Sequence, residues 1–178
     1  MAAAPHTLEN PLQVDFCGMR FDTPLVLLSG CVGFGEEYTR VEGFSNRDAG
    51  AVVLKGTTGT ARLGNPAHRV YETPMGMLNA IGLQNIGVKY FINKKLPFLR
   101  NFDIAVIANV YGETVEEYLR VSELLTAAPG VHALEINVSC PNVKKGGVAF
   151  GTDPDMVADV TGRVRGITDL PLIVKLSP

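Results

Sequence analysis

No apolar run in this sequence approaches the roughly 20 residues that a membrane-spanning helix needs, so a bilayer-embedded protein is not expected. Positive charge is not in excess either. Sixteen Lys and Arg face 18 Asp and Glu, for a formal net charge of −2, and no basic face is available to nucleic acid through bulk electrostatics. Cysteine is scarce: Cys17, Cys31 and Cys140 form no CxxC pair and are odd in number, which excludes a disulfide framework and a zinc site as the organising feature. No metal is therefore expected. The first residues, Met1-Ala2-Ala3-Ala4-Pro5-His6, lack the charged-then-apolar pattern of a secretory signal. The expected location is the cytoplasm. What remains is ordinary globular composition, 46% hydrophobic and 19% charged, in a chain of 178 residues. That length suits one well-filled core, and residues 1–178 are read as a single domain.

Five short apolar runs recur along the chain: Leu25–Leu28, Ala51–Leu54, Ile104–Ala108, Ala133–Ile136 and Leu172–Val174. Their brevity, β-branched content and Gly/Pro boundaries predict buried strands. Two of the intervals between them carry helix signals. Thr114 and Glu117 have capping-box spacing, and Pro129-Gly130 lies where that helix should end. Asp153 is placed to cap a second helix with Pro154 in its first position; Val157, Val160, Val164 and Ile167 then repeat at spacings of three and four. Strand, helix, strand with continuous apolar strands predicts parallel βαβ units, an α/β protein. Ahead of the first run, Leu12–Phe16 and Met19–Phe21 flank Cys17-Gly18 as a small hairpin, placed to plug the bottom of a barrel.

The polar residues fall at one position relative to these runs. Ser29, Lys55, Asn109, Asn137 and Lys175 each lie at or just past the end of one of the five. In (β/α)8 barrels the C-terminal strand ends form the active-site face. Taken singly, each reads more readily as a solvated loop residue; together they point to one rim. The segment Glu135-Ile136-Asn137-Val138-Ser139-Cys140-Pro141-Asn142 adds a thiol three residues past a strand end, followed by the glycine-rich Val143–Gly151 with Lys144 and Lys145. Positive neighbours favour thiolate, so Cys140 is a candidate reactive group; the alternative is a buried structural cysteine.

These residues resemble the class 1 dihydroorotate dehydrogenases, particularly the NAD-linked class 1B. The resemblance rests on Ser29–Tyr38, Lys55-Gly56-Thr57-Thr58, Gly64-Asn65-Pro66, Met77–Asn85, Ile107–Val110, the Cys140 segment through Pro154, and Val174-Lys175-Leu176-Ser177-Pro178. It spans nearly the whole chain in one order. It implies a (β/α)8 TIM barrel, of which about the first five βα units and the N-terminal hairpin are in this sequence. It also implies FMN as cofactor and oxidation of dihydroorotate to orotate in pyrimidine biosynthesis. By that resemblance Cys140 is the base that takes a proton from carbon 5, while hydride leaves carbon 6 for the flavin. Ser29, Lys55, Gly56, Asn109, Asn137 and Lys175 belong to the flavin site. Lys55, Asn79, Ala80, Ile81, Gly82, Leu83, Asn137 and Asn142 belong to the substrate site. The family further implies an iron–sulfur and FAD subunit that passes electrons to NAD, with a homodimer inside a heterotetramer. That agrees with a chain holding no cysteine cluster and no GxGxxG fingerprint.

A barrel of eight units uses about 250 residues, roughly 31 per unit. About three further units are therefore expected beyond those in this sequence, including the loops after strands 7 and 8 that usually hold a phosphate. The alternative to a catalytic subunit is a truncated, non-catalytic homologue that serves as an interaction module. A cysteine-nucleophile enzyme on another α/β fold is a third reading, weakened because His6, His68 and His132 fall at no motif.

Overall fold

The computed structural model describes residues 10–139 and 148–177. It opens on a hairpin of β1 (Val14–Phe16) and β2 (Met19–Phe21), turned by Cys17 and Gly18 with φ of 53° and 75°. Two successive positive-φ residues give the tight turn whose twist matches that of the flanking strands. Then follow β3 (Val26–Leu27), β4 (Ala51–Val53), and a second hairpin of β5 (Val70–Thr73) and β6 (Gly76–Asn79). A helical stretch runs through α1 (Val88–Tyr90), a π turn (Phe91–Lys95) and α2 (Leu96–Leu99) to β7 (Ala105–Val110). The remainder is α3 (Val115–Thr126), β8 (Ala133–Asn137), α4 (Val148–Gly151), α5 (Pro154–Arg165) and β9 (Leu172–Lys175).

The five expected strands join one parallel sheet in the order β3-β4-β7-β8-β9, every neighbouring pair parallel. Side chains alternate across it with period two. One face, with Val52, Leu54, Val106, Ala108, Leu134 and Ile136, packs on buried residues of the helices, among them Leu96, Tyr118, Val121, Leu125, Val160 and Val164. The opposite face divides along its length. Its N-terminal half, Ala51, Val53, Ile107 and Ala133, packs on Phe21 of β2, with Val14 and Met19 of the same hairpin alongside. Its C-terminal half is polar.

Burial is not uniform. Residues of β4, β7 and β8 are almost wholly enclosed, whereas Leu25 and Leu28 beside β3 are 62% and 60% exposed. The expectation of five buried strands is corrected at both ends of the sheet: among the described residues β3 pairs with β4 alone and β9 with β8 alone, and β9 is half-buried throughout. An apolar run marks a strand, but its place in the sheet order decides how much is covered. The β3-to-β4 crossover contains no α-helix; two short 3₁₀ turns, Tyr38–Arg40 and Asn46–Asp48, occupy it. Both predicted helices are present. Thr114 caps α3 by accepting from the Glu117 N–H, but the Glu117 carboxylate takes the Glu113 N–H at 2.6 Å, so the expected box closes one residue early. Asp153 caps α5 through the N–H groups of Asp155 and Met156. No helix among the described residues is long and apolar enough to cross a membrane.

Candidate active site

The polar half of the sheet is built by extending the two-residue alternation past the apolar floor. Along β7, Ala105 and Ile107 are followed on the same face by Asn109; along β8, Ala133 is followed by Glu135 and Asn137; along β9, Ile173 is followed by Lys175. The register sets Asn109 opposite Glu135 and Asn137 opposite Lys175. Asn109, Glu135 and Asn137 are 0%, 7% and 4% exposed, so three polar side chains occupy a site closed to bulk water. Burying such groups is costly unless their hydrogen bonds are made.

They are made, in one direction. The Asn109 Nδ2 donates to Glu135 Oε1. The Asn137 Nδ2 donates to Asn109 Oδ1 at 3.3 Å. The Asn137 Oδ1 in turn accepts from the Ser139 N–H at 3.2 Å and the Ser139 hydroxyl at 3.1 Å. Tyr118 of α3 holds the strand end from beneath, its hydroxyl donating to the Asn137 carbonyl at 2.7 Å. Sequence reasoning placed Asn109 and Asn137 here but passed over Glu135, Ser139 and Tyr118. A carboxylate two residues before Asn137 in an apolar strand was the available signal for Glu135, since period two puts both on one face.

Gly56 completes this cluster by what it lacks. A Cβ there would come within 2.9 Å of Asn109 Oδ1 and 3.1 Å of Leu83 Cδ1, with Asn137 Nδ2 at 3.8 Å. The chain past β4 is held by the Thr57 N–H donating to the Asn109 carbonyl at 2.9 Å and the Tyr111 N–H donating back to the Thr57 carbonyl at 3.1 Å. Lys55, half-buried, precedes Gly56; its N–H donates to the Gly33 carbonyl at 2.7 Å, and it lines a cavity of ≈ 490 Å³ with Phe34, Arg62 and Tyr90. Lys175 is half-buried at the end of β9, and Ser29 half-buried in the turn after β3.

The segment expected to line the substrate site is split. Leu83 is buried, with φ +56°, and reaches Gly56; its conformation is fastened by the Asn85 Nδ2 donating to its carbonyl at 2.9 Å. Asn85 is itself buried and accepts from the Thr58 and Gly87 N–H groups. Ile81 and Gly82 are half-buried, while Asn79 and Ala80 lie exposed at the end of β6. This stretch is laced to 62–69 through Ala80 N–H to the Arg69 carbonyl at 2.8 Å and Asn65 N–H to the Ile81 carbonyl at 3.0 Å. The structure thus brings Gly56, Leu83, Asn109 and Asn137 into one cluster and leaves Asn79 and Ala80 exposed. Cys140 and Asn142 lie outside the described residues. Among the described residues no group of His, Cys, Asp and Glu is arranged to hold a metal.

A family model described as dihydroorotate dehydrogenase matches residues 11–178. The protein named dihydroorotate dehydrogenase B (NAD(+)), catalytic subunit, from Anoxybacillus flavithermus is 53% identical over 169 residues, covering 95% of this chain and 54% of that protein. The protein of the same name from Geobacillus kaustophilus is 52% identical over 169 residues, covering 95% and 53%. This chain spans about half the length of these curated relatives. A crystal structure of a DHODH from Eimeria tenella, solved in complex with ferulenol, matches with a TM-score of 0.69 over 97% of this chain and 55% of that one. At 19% identity that is a likeness of fold, a parallel half-barrel shared between the two.

Proposed function

The chain belongs to the dihydroorotate dehydrogenase family, and from that premise we propose that it carries the base and the flavin-side residues of an FMN-dependent catalytic subunit that oxidises dihydroorotate to orotate. The observation that carries this reading is the buried Asn109–Asn137 amide pair facing Gly56 at the C-terminal ends of parallel strands. In this reading residues 1–178 belong to a single domain, and the sheet is five of the eight units of a closed barrel.

The residues present suit a flavin. Gly56 lets the chain past β4 pack directly on the amide pair, where any side chain would collide with Asn109 and Leu83. Amides both donate and accept, as the pyrimidine edges of flavin and orotate require. Ser29, Lys55, Gly56, Asn109, Asn137 and Lys175 would hold the FMN. FMN held there would offer an acceptor for the hydride that leaves carbon 6 of dihydroorotate.

This chain's own residues account for the rest. Cys140, as thiolate, takes the proton from carbon 5, so the two hydrogens lost are one proton and one hydride. A free cysteine titrates near 8.5, so a base role near neutral pH needs positive charge to favour thiolate, and Lys144 and Lys145 follow Cys140 in the sequence. Lys55 would meet the substrate carboxylate, and Lys175 would supply positive charge beside the flavin ring. Asn79, Ala80, Ile81, Gly82, Leu83 and Asn142 enclose the substrate, with Asn137 shared between the two ligands.

Relatives named as NAD(+)-linked catalytic subunits support a separate electron-transfer partner. We place the iron–sulfur cluster and FAD on that partner, in a heterotetramer built on a homodimer of catalytic subunits in the cytoplasm. Purified whole protein is expected to be yellow, to release FMN on denaturation, and to reduce an artificial dye with dihydroorotate but not NAD. Colourless protein that takes up no FMN overturns the reading; robust NAD reduction without a second subunit overturns the partner.

A further inference from the structure

We propose that Glu135 is a positioning residue that sets which way the side-chain amides of Asn109 and Asn137 face, and so which of their atoms are presented to bound ligands. The inference rests on the flavin-site reading above for its ligands, and on the hydrogen-bond chain alone for its mechanism. An asparagine amide has two nearly isosteric ends, a carbonyl oxygen and an NH₂, and packing distinguishes them poorly. Something must therefore fix the flip of each. In this cluster both ends of a short chain are fixed. At one end the Ser139 backbone N–H can only donate, which claims Asn137 Oδ1 at 3.2 Å. At the other end Glu135 accepts from Asn109 Nδ2. The link between them, Asn137 Nδ2 to Asn109 Oδ1 at 3.3 Å, then has one self-consistent direction.

Without an acceptor at 135, Asn109 could turn its NH₂ toward Asn137 and set two donors against each other. The position suits no solvent-facing role, because Glu135 is 7% exposed and lies on the same strand face as Asn137. Gly56 makes the direction consequential. Its side-chain-free backbone lies directly against Asn109 Oδ1, where a Cβ would come within 2.9 Å, so a flip would exchange an acceptor for a donor at the contact between the amide pair and the chain past β4.

The test needs no turnover. In the flavin-free whole protein, the Asn109 and Asn137 NH₂ groups should each give one sharp, exchange-protected pair of proton resonances. Glu135→Met, which keeps the length and removes the acceptor, should broaden or split both while the protein still folds. Glu135→Gln, whose carbonyl oxygen can accept the same bond, should keep them. FMN titration should follow the same ranking, with Glu135→Gln within about threefold of wild type and Glu135→Met weakened at least tenfold. Unchanged Asn109 and Asn137 signals in Glu135→Met overturn the proposal, as does a Gln variant as impaired as the Met variant. If Glu135→Met does not fold, the Gln variant decides alone, and a tenfold loss of FMN affinity there sinks the idea. Wild-type protein with the expected amide signals but no FMN uptake would instead overturn the functional reading.

Discussion

The two ends of the parallel sheet use the same strands for opposite purposes. At the N-terminal end, Phe21 seals Ala51, Val53, Ile107 and Ala133 under a hairpin, and the gain is burial of apolar surface. At the C-terminal end, the same face carries Asn109, Glu135, Asn137 and Lys175, with Gly56 packed against the amides. One end buries apolar surface; the other holds polar groups that stabilise little by themselves and that the proposed function assigns to ligands. Damage at the two ends should accordingly be read by different instruments, melting at one and ligand binding at the other.

The sharpest separation should come from Cys140→Ala, which is expected to lower dihydroorotate oxidation by about 10²–10⁴-fold while FMN content stays normal. Steady-state rates and flavin absorbance on the same preparation check this, and a loss below about tenfold would remove Cys140 as the base. Phe21→Ala should do the reverse. Truncating a buried aromatic costs about 3–5 kcal/mol, visible as a lower denaturant midpoint, with FMN affinity of the folded fraction unchanged. If FMN affinity falls in parallel, the two ends are not separable as argued.

Lys55→Ala should weaken FMN retention and raise the apparent substrate constant together. A charge-assisted hydrogen bond is worth about 1.5–3 kcal/mol, or roughly ten- to a hundredfold in affinity. Normal values of both in that variant would show that Lys55 faces elsewhere. The smallest effect belongs to His132 at the N-terminal end. Burial holds its pKa below the ordinary 6.5, with Asp103 opposing, and its Nδ1 accepts from the Val106 N–H at 3.0 Å. The fold thus favours the neutral ring, and the unfolded chain binds the extra proton. Stability should decline as pH falls below about 6.5 and level off once pH passes below the depressed folded value. His132→Gln, a neutral acceptor that does not titrate, should flatten that acid slope in melts at pH 5 and pH 7. An unchanged slope would assign the acid sensitivity to other groups.

How much of this was legible in the sequence depended on whether a residue's role showed in its neighbours along the chain. The five strands did, because short β-branched runs between glycines and prolines have few other uses. Asn109, Asn137 and Lys175 showed as polar residues ending such runs. Glu135 did not, since its meaning comes from Asn109 on the next strand, 26 residues away. The β5–β6 hairpin was also hidden. Tyr71 and Leu78 face each other across it at 72% and 65% exposure, so no inside-outside alternation marks it. Leu83 was read as part of a motif, but its left-handed backbone is held by Asn85, Thr58 and Gly87 and follows from no local pattern.

The alternation along β8 also says how this gene can change. Ala133, Glu135 and Asn137 face one way and Leu134 and Ile136 the other. A single codon gained or lost inside this strand would exchange the two sets, turning Leu134 and Ile136 toward the polar cluster and Glu135 and Asn137 toward the helices. Lineages carrying such a change would lose the core and the polar cluster at one stroke, leaving nothing for selection to repair by degrees. The β5–β6 turn at Pro74-Met75 is under no such rule, because Met75 is 97% exposed. Length variation among descendants of this sequence should therefore collect at that turn and be absent from β8.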